Sequence, residues 1–340
     1  MEGPAFEAMP PHKKLRGSEG AIVAYTEAPE IRSSSLPSST LLLTGHTGSV
    51  YALRYSPNGQ TLCSTSFDMN CLLWNHQSNE DIPESYHNYN VLSGHKNAVL
   101  DCHWCDDETI VTCSADKTVQ LWDANTATRL RKWQQHTGIV NACDTASEQS
   151  VVSASDDGLC FLWDRRQKSA IGTLASDYPV TAVAADALHV YAAGMENMIY
   201  CWDLRQQAKV YGMKGHTDLI TCLALHPEGT HLLSNSMDHS LRSWDIRPFV
   251  TGKNRHSKTF VGHKHNAEKG LLKCSWSRDG SMVTAGSADK MVHIWDEFST
   301  EELYLLPGHK GCVNTVVFHP HENVIASGAS DKQIFVGELS

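Results

Sequence analysis

The chain has 340 residues, 41% apolar and 19% charged, and 38 acidic against 28 basic groups leave it at −10. That balance excludes a disordered, collagen-like or coiled-coil chain, and apolar runs as short as Leu41-Leu42-Leu43 exclude a membrane-spanning helix. The acidic excess is a poor electrostatic footprint for nucleic acid; with no leader-like N-terminus and an odd eleven cysteines, the expectation is a soluble, intracellular protein with reduced thiols.

Residues 1–37 lack periodicity and are rich in Pro, Ser, Glu and Gly, which predicts a disordered N-terminal tail. Its Pro11-His12-Lys13-Lys14-Leu15-Arg16 is a weak form of a nuclear import signal. From residue 38 a repeat takes over and runs to 340, predicting a single domain. Thr40-Leu41-Leu42-Leu43-Thr44 reads as a strand, followed by Gly45-His46. Gly-His pairs recur at Gly94-His95, Gly215-His216, Gly262-His263 and Gly308-His309, with Gln135-His136 as a variant.

Trp74, Trp122, Trp163, Trp202, Trp244 and Trp295 lie 39 to 51 residues apart, and all but the first precede Asp. Six residues before each stands Asp68, Asp116, Asp157, Glu196, Asp238 or Asp289, and the phase continues to Asp331, whose tryptophan slot holds Gly337. From His46, His95, His136, His216 and His309 to the phased Asp is always 21 or 22 residues. Seven units of about 42 residues follow. Within them, alternating runs such as Val119-Gln120-Leu121-Trp122 are separated by turn clusters such as Pro57-Asn58-Gly59 and Arg278-Asp279-Gly280, the pattern of short strands and tight turns.

Gly-His followed by Trp-Asp at this period resembles the WD-repeat family over residues 38–340. The resemblance implies an all-β, seven-bladed β-propeller, four strands to a blade. Only three strands fit the last unit, at about 313–319, 323–328 and 333–338, so residues 40–44 are expected to supply the fourth and close the ring. The family further implies a buried hydrogen-bond chain of His, Ser or Thr, Asp and Trp in each regular blade. Here these are His46, Ser64, Asp68 and Trp74; His95, Thr112, Asp116 and Trp122; His136, Ser153, Asp157 and Trp163; and His216, Ser234, Asp238 and Trp244. Indole donates, hydroxyl and imidazole do both, and carboxylate accepts, so such a chain is satisfiable in the dry. Near-identical copies around a ring argue against a Ser-His-Asp catalytic triad.

The departures are informative. The fourth unit has Ser176-Asp177-Tyr178-Pro179 for Gly-His and Glu196 for Asp, so it should lack the chain. The sixth offers both His263 and His265, a lengthened lead-in through Asn266 to Gly270, and Ala285 where a hydroxyl is expected. Cys102-His103-Trp104-Cys105 has metal or redox spacing, but no second pair accompanies it; alternation puts Cys102 and Trp104 on one strand face, as core. The basic clusters around Arg129, Arg165 and Lys253 read as solvated loop ends, and the longer connections 76–91 and 248–261 as solvated loops or partner contacts.

No Walker loop, nucleophile elbow or unique carboxylate pair appears, so the sequence reads as a binding scaffold, not an enzyme, with no cofactor or metal. The linker Arg247-Pro248-Phe249, the insertion Asn266-Ala267-Glu268-Lys269 and the ending Gly308-His309 to Ser330-Asp331-Lys332 resemble the WD-repeat subunits of the spliceosomal U5 small nuclear ribonucleoprotein. That resemblance implies a nuclear, monomeric, non-catalytic subunit acting in pre-mRNA splicing. It would dock on the particle's large scaffold protein, with other spliceosome subunits as neighbours, RNA touched only incidentally and no membrane. A different class stays open: Trp163-Asp164-Arg165-Arg166, Trp202-Asp203-Leu204-Arg205 and Trp244-Asp245-Ile246-Arg247 are similar to the Trp-Asp-x-Arg motifs of substrate receptors of cullin-RING ubiquitin ligases. Phe67, Met195 and Met237, apolar residues just before the phased acid, are the candidate partner-binding positions, either as an exposed patch or half-buried against the next blade.

Overall fold

The computed structural model describes residues 36, 38–75, 87–250, 255–266 and 270–339. The tail ahead of Leu36, most of the 76–91 connection and part of the 248–261 connection lie outside the described residues. The described residues form seven four-stranded antiparallel sheets, the blades of a propeller. Blade two is typical: Val99–Trp104 is innermost, then Thr109–Ser114, Val119–Asp123 and, at the rim, Arg129–Trp133.

Burial follows radius. The second strand of a blade is covered on both faces by its neighbours, so Thr109–Ser114 and Val324–Ala329 are buried at every position. These strands read as continuous apolar or small-residue runs, as doubly covered strands should. A rim strand such as Ala170–Ala175 alternates buried and exposed instead.

Two irregularities repeat. The inner pair of strands slips register at its first residues, between Val50 and Ala52 or Ile220 and Cys222 for example. The outer pair slips immediately before each tryptophan, as at Leu73/Trp74, Leu121/Trp122, Cys201/Trp202 and Ile294/Trp295. Bulges of this kind bend a strand and re-aim a side chain; here the side chain is the indole. Turns between the second and third strands are equally uniform. The residue after the phased acid is left-handed in all seven: Met69, Lys117, Gly158, Asn197, His239, Lys290 and Lys332. Asp68 Oδ1 accepts the Asn70 N–H across this turn, and Asp116 and Asp331 do the same for Thr118 and Gln333. Only one turn uses glycine; in the non-glycine turns headed by an aspartate that hydrogen bond offsets a left-handed strain of about 1–2 kcal/mol.

Each indole is wedged against the preceding blade. Trp122 packs with Ala52, Cys63 and Leu73 of blade one, and Trp74 with Val317, Ile334 and Val336 of blade seven. The ring closes as expected: Thr40–Thr44 pairs antiparallel with Gln333–Glu338, Thr40 opposite Gly337 and Thr44 opposite Gln333. Leu36 also joins the blade-one/blade-seven core, so the propeller's packing reaches into the segment expected to be tail.

Candidate functional site

The four polar chains are assembled with near-identical geometry. In blade one, Trp74 Nε1–H donates to Ser64 Oγ over 2.9 Å, and His46 lies 2.8 Å from Ser64 Oγ and 2.9 Å from Asp68 Oδ2. Because the carboxylate can only accept, His46 Nδ1 carries the proton and Nε2 takes the serine hydroxyl's. Blade two repeats this with Trp122, Thr112, His95 and Asp116, at 2.9, 2.8 and 3.1 Å. Blade three does so with Trp163, Ser153, His136 and Asp157, at 2.8, 2.8 and 2.9 Å. In blade five the members are Trp244, Ser234, His216 and Asp238, at 2.8, 2.6 and 2.9 Å.

Each aspartate also accepts the backbone N–H after its histidine, Thr47 for Asp68 and Lys96 for Asp116. Burial alone would raise these carboxyls, but the histidine and backbone donors outweigh it. Asp68 falls to about 2, and Asp116, Asp157 and Asp238 are lowered as well. Burial lowers His136 and His216 despite their aspartates, keeping them neutral. The chains hold loops onto blades; they present no nucleophile to a cleft.

The irregular blades solve the same problem differently. In blade four Glu196 accepts the Tyr200 hydroxyl at 2.7 Å, and that hydrogen bond, followed by burial, raises the phenol to about 12. In blade six Ala285 supplies no hydroxyl, so Trp295 donates to the Val261 carbonyl and His293 takes over Asp289 at 2.9 Å. His263 bonds instead to Asn235 of blade five, at 2.8 Å, and its Nδ1 is buried without a partner. In blade seven His309 joins Ser327 and Asp331 at 2.9 and 3.0 Å, with Gly337 in the tryptophan slot.

Turn positions before the phased acid are not equivalent. Phe67 and Met195 are 59% and 58% exposed, on the face that carries the histidine loops, whereas Met237 is only 8% exposed. Met237 is therefore not part of an exposed patch. The long lead-in of blade six crosses its turn, fastened where His265 N–H donates to His239 Nδ1. Two exposed residues that sequence reasoning missed share the face: Met69, in the same turn as Phe67, and Tyr178, in the lead-in to blade four.

The axis holds a second group that was not foreseen. A channel of about 550 Å³ is lined by Arg54, Asp101, His103, Asp144 and Lys273, among others. Lys273 Nζ of blade six reaches Asp101 Oδ2 of blade two at 2.8 Å, both side chains buried, and His103 Nε2 meets Asp144 Oδ1 at 3.0 Å. Burial lowers Lys273, but the Asp101 charge and hydrogen bond more than reverse that, and its ammonium is raised above the usual range. The available signal was a charge at an inward strand position, Asp101 beside Cys102. Cys102 and Trp104 are core residues, and all eleven cysteines are free thiols. Among the described residues, no group of three or more His, Cys, Asp or Glu is placed to hold a metal.

Seven four-stranded blades, four of them bound by complete His–Ser/Thr–Asp–Trp chains, define a WD-repeat propeller, and the chain belongs to that family. The family profile described as WD domain, G-beta repeat matches residues 37–75, 87–123, 127–164, 207–245, 254–296 and 300–336, passing over blade four, where the chain is missing. Among curated proteins, the chain is similar to the U5 small nuclear ribonucleoprotein 40 kDa protein of Mus musculus, with 44% identity covering 97% of this chain and 94% of the relative. The Homo sapiens protein of the same name is 45% identical, covering 93% of this chain and 88% of its own length. Pre-mRNA-splicing factor cwf17 of Schizosaccharomyces pombe is 39% identical, covering 96% and 95%.

Proposed function

We propose that this protein is a non-catalytic scaffold subunit of the U5 small nuclear ribonucleoprotein, acting in pre-mRNA splicing in the nucleus by docking on the large central scaffold protein of the particle. The observation that carries this is the end-to-end likeness to proteins bearing the U5 40 kDa and splicing-factor names. The exposed Phe67 and Met195 support a protein-facing surface, and the −10 charge supports only incidental contact with RNA. A monomeric subunit within a large complex, and a propeller of residues 38–340 preceded by an N-terminal tail, belong to the same reading. The test is affinity purification of the tagged protein from nuclear extract at moderate salt, followed by mass spectrometry. Recovery of the splicing scaffold with its GTPase and helicase companions is expected; recovery of a cullin adaptor instead would overturn the reading.

A further inference from the structure

Gly337 leaves a hole, and its walls describe what fills it. A cavity of about 240 Å³ opens between blades six and seven, lined by Val292 and Leu306 on one side and Ser327, Phe335 and Gly337 on the other, with Pro307 at its mouth. It lies where the other blades keep an indole, between a blade and its predecessor. Phe335 does not substitute for that indole. It is four residues after the phased acid, as Phe161 is in blade three, and it packs on His309 at 4.7 Å as Phe161 packs on His136 at 4.5 Å, edge-on in the first case and tilted in the second. Blade three holds Trp163 as well, 5.3 Å from Phe161. The register slip that aims each tryptophan is also missing, because Thr40–Thr44 pairs with Gln333–Glu338 without interruption.

The hydrogen bonding is incomplete in the same place. Ser64, Thr112, Ser153 and Ser234 each accept an indole N–H and are 0% exposed, whereas Ser327 is 5% exposed and no indole donates to it. Its hydroxyl proton goes to His309 Nε2, since Nδ1–H serves Asp331; a lone pair therefore faces the cavity. A cavity of roughly 150 Å³ already admits benzene, so this one has room for a bicyclic ring.

We propose that the gap between blades six and seven is a receptor for a tryptophan side chain of a partner polypeptide, whose indole N–H donates to Ser327 Oγ. This rests on the reading of the chain as a protein-docking scaffold. The indole comes from another molecule: all nine tryptophans of the chain are already placed in blade strands, and residues 1–37 contain Phe6 and Tyr25 but no tryptophan.

The experiment titrates the full chain with N-acetyltryptophanamide, followed by ligand-detected NMR, beside the 1-methylindole analogue and N-acetyltyrosinamide. Saturable binding at about 0.1–1 mM is expected for a ligand of this size, and the methyl analogue, lacking the donor, should bind about 5–10-fold more weakly. Ser327→Ala should erase that difference. Gly337→Trp, whose Cβ would meet nothing nearer than Ser39 O at 3.8 Å, should abolish binding. No saturable signal, equal affinity for the two indoles, equal affinity for the phenol, or undiminished binding by Gly337→Trp would each overturn the proposal. The comparison of analogues on the unaltered protein decides the matter even where a variant fails to fold. Because no splicing component is present, failure here is distinct from failure of the co-purification.

Discussion

Replacing Lys273 by methionine isolates the ion pair that crosses the axis. The substitution keeps the length of the side chain and removes its charge, leaving the Asp101 carboxylate buried. Asp101 would retain the Cys102 N–H at 3.1 Å and the field of nearby Arg54, so the loss should fall toward the lower end of the ~3–5 kcal/mol typical of a broken buried pair. An unfolding entropy of ~2.1 cal/mol/K per residue over about 300 residues turns this into a fall in Tm of roughly 5–6 °C. The double variant Asp101→Leu, Lys273→Met removes both charges. It should return to within about 2 °C of wild type, because well-packed apolar replacements of buried pairs are commonly neutral. Differential scanning calorimetry on the four proteins of the cycle measures this. Raising salt should leave the Lys273→Met deficit unchanged, since buried charges are poorly screened. A single variant melting within 1 °C of wild type, or a double variant as unstable as the two singles added, would refute the reasoning.

Asp116→Ala strands the His95 imidazole, the Lys96 N–H and the Thr118 turn at once; a loss of about 2–4 kcal/mol is expected by urea denaturation. Phe67→Glu with Met195→Glu should leave Tm unchanged while partner recovery in the pull-down falls at least tenfold; full recovery would place docking elsewhere. Burial and neighbouring histidines lower His263 to about 3, and burial and His239 lower His265 to about 4. Both are thus depressed below an unfolded value of ~6.5. The unfolded chain binds more protons between those values, so this stability is complete above pH 6.5 and is lost as pH falls toward 4. The slope is about 1.4 kcal/mol per pH unit for each histidine, before discounting for solvent. His263→Leu should flatten the stability profile between pH 6.5 and 4.5, read by denaturant midpoints; an unaltered slope would count against it. Deleting residues 38–44 removes the strand opposite Gln333–Glu338 and exposes an edge, so aggregation on light scattering is expected.

The regular blades were legible because the family resemblance names the chain and a constant spacing then identifies its members. Twenty-one or twenty-two residues separate His from Asp and ten separate hydroxyl from indole, and those offsets become hydrogen bonds once strands pair in register. The same arithmetic located the missing hydroxyl at Ala285 and the missing indole at Gly337. It failed where partners come from a different repeat. Nothing local announces that Lys273 will meet Asp101, 172 positions away, or that His263 will leave its own blade for Asn235. The two readings of Met237 could not be separated for the same reason: its turn matches that of Phe67 in sequence, but its burial depends on the following blade's lead-in.

Ring closure also fixes an order of events during synthesis. The strand Thr40–Thr44 is made well ahead of its partner Gln333–Glu338, with six blades' worth of chain between them. At about 5–20 residues per second, translation leaves that leucine-rich strand waiting some 15–60 s for its mate. Six blades can assemble in that interval, but the propeller remains an open arc with two sticky ends until Gln333–Glu338 has emerged. Shielding of the nascent chain is therefore most needed at Thr40–Thr44, and a ribosome stalled before Gln333 would hold an assembled arc that cannot shut.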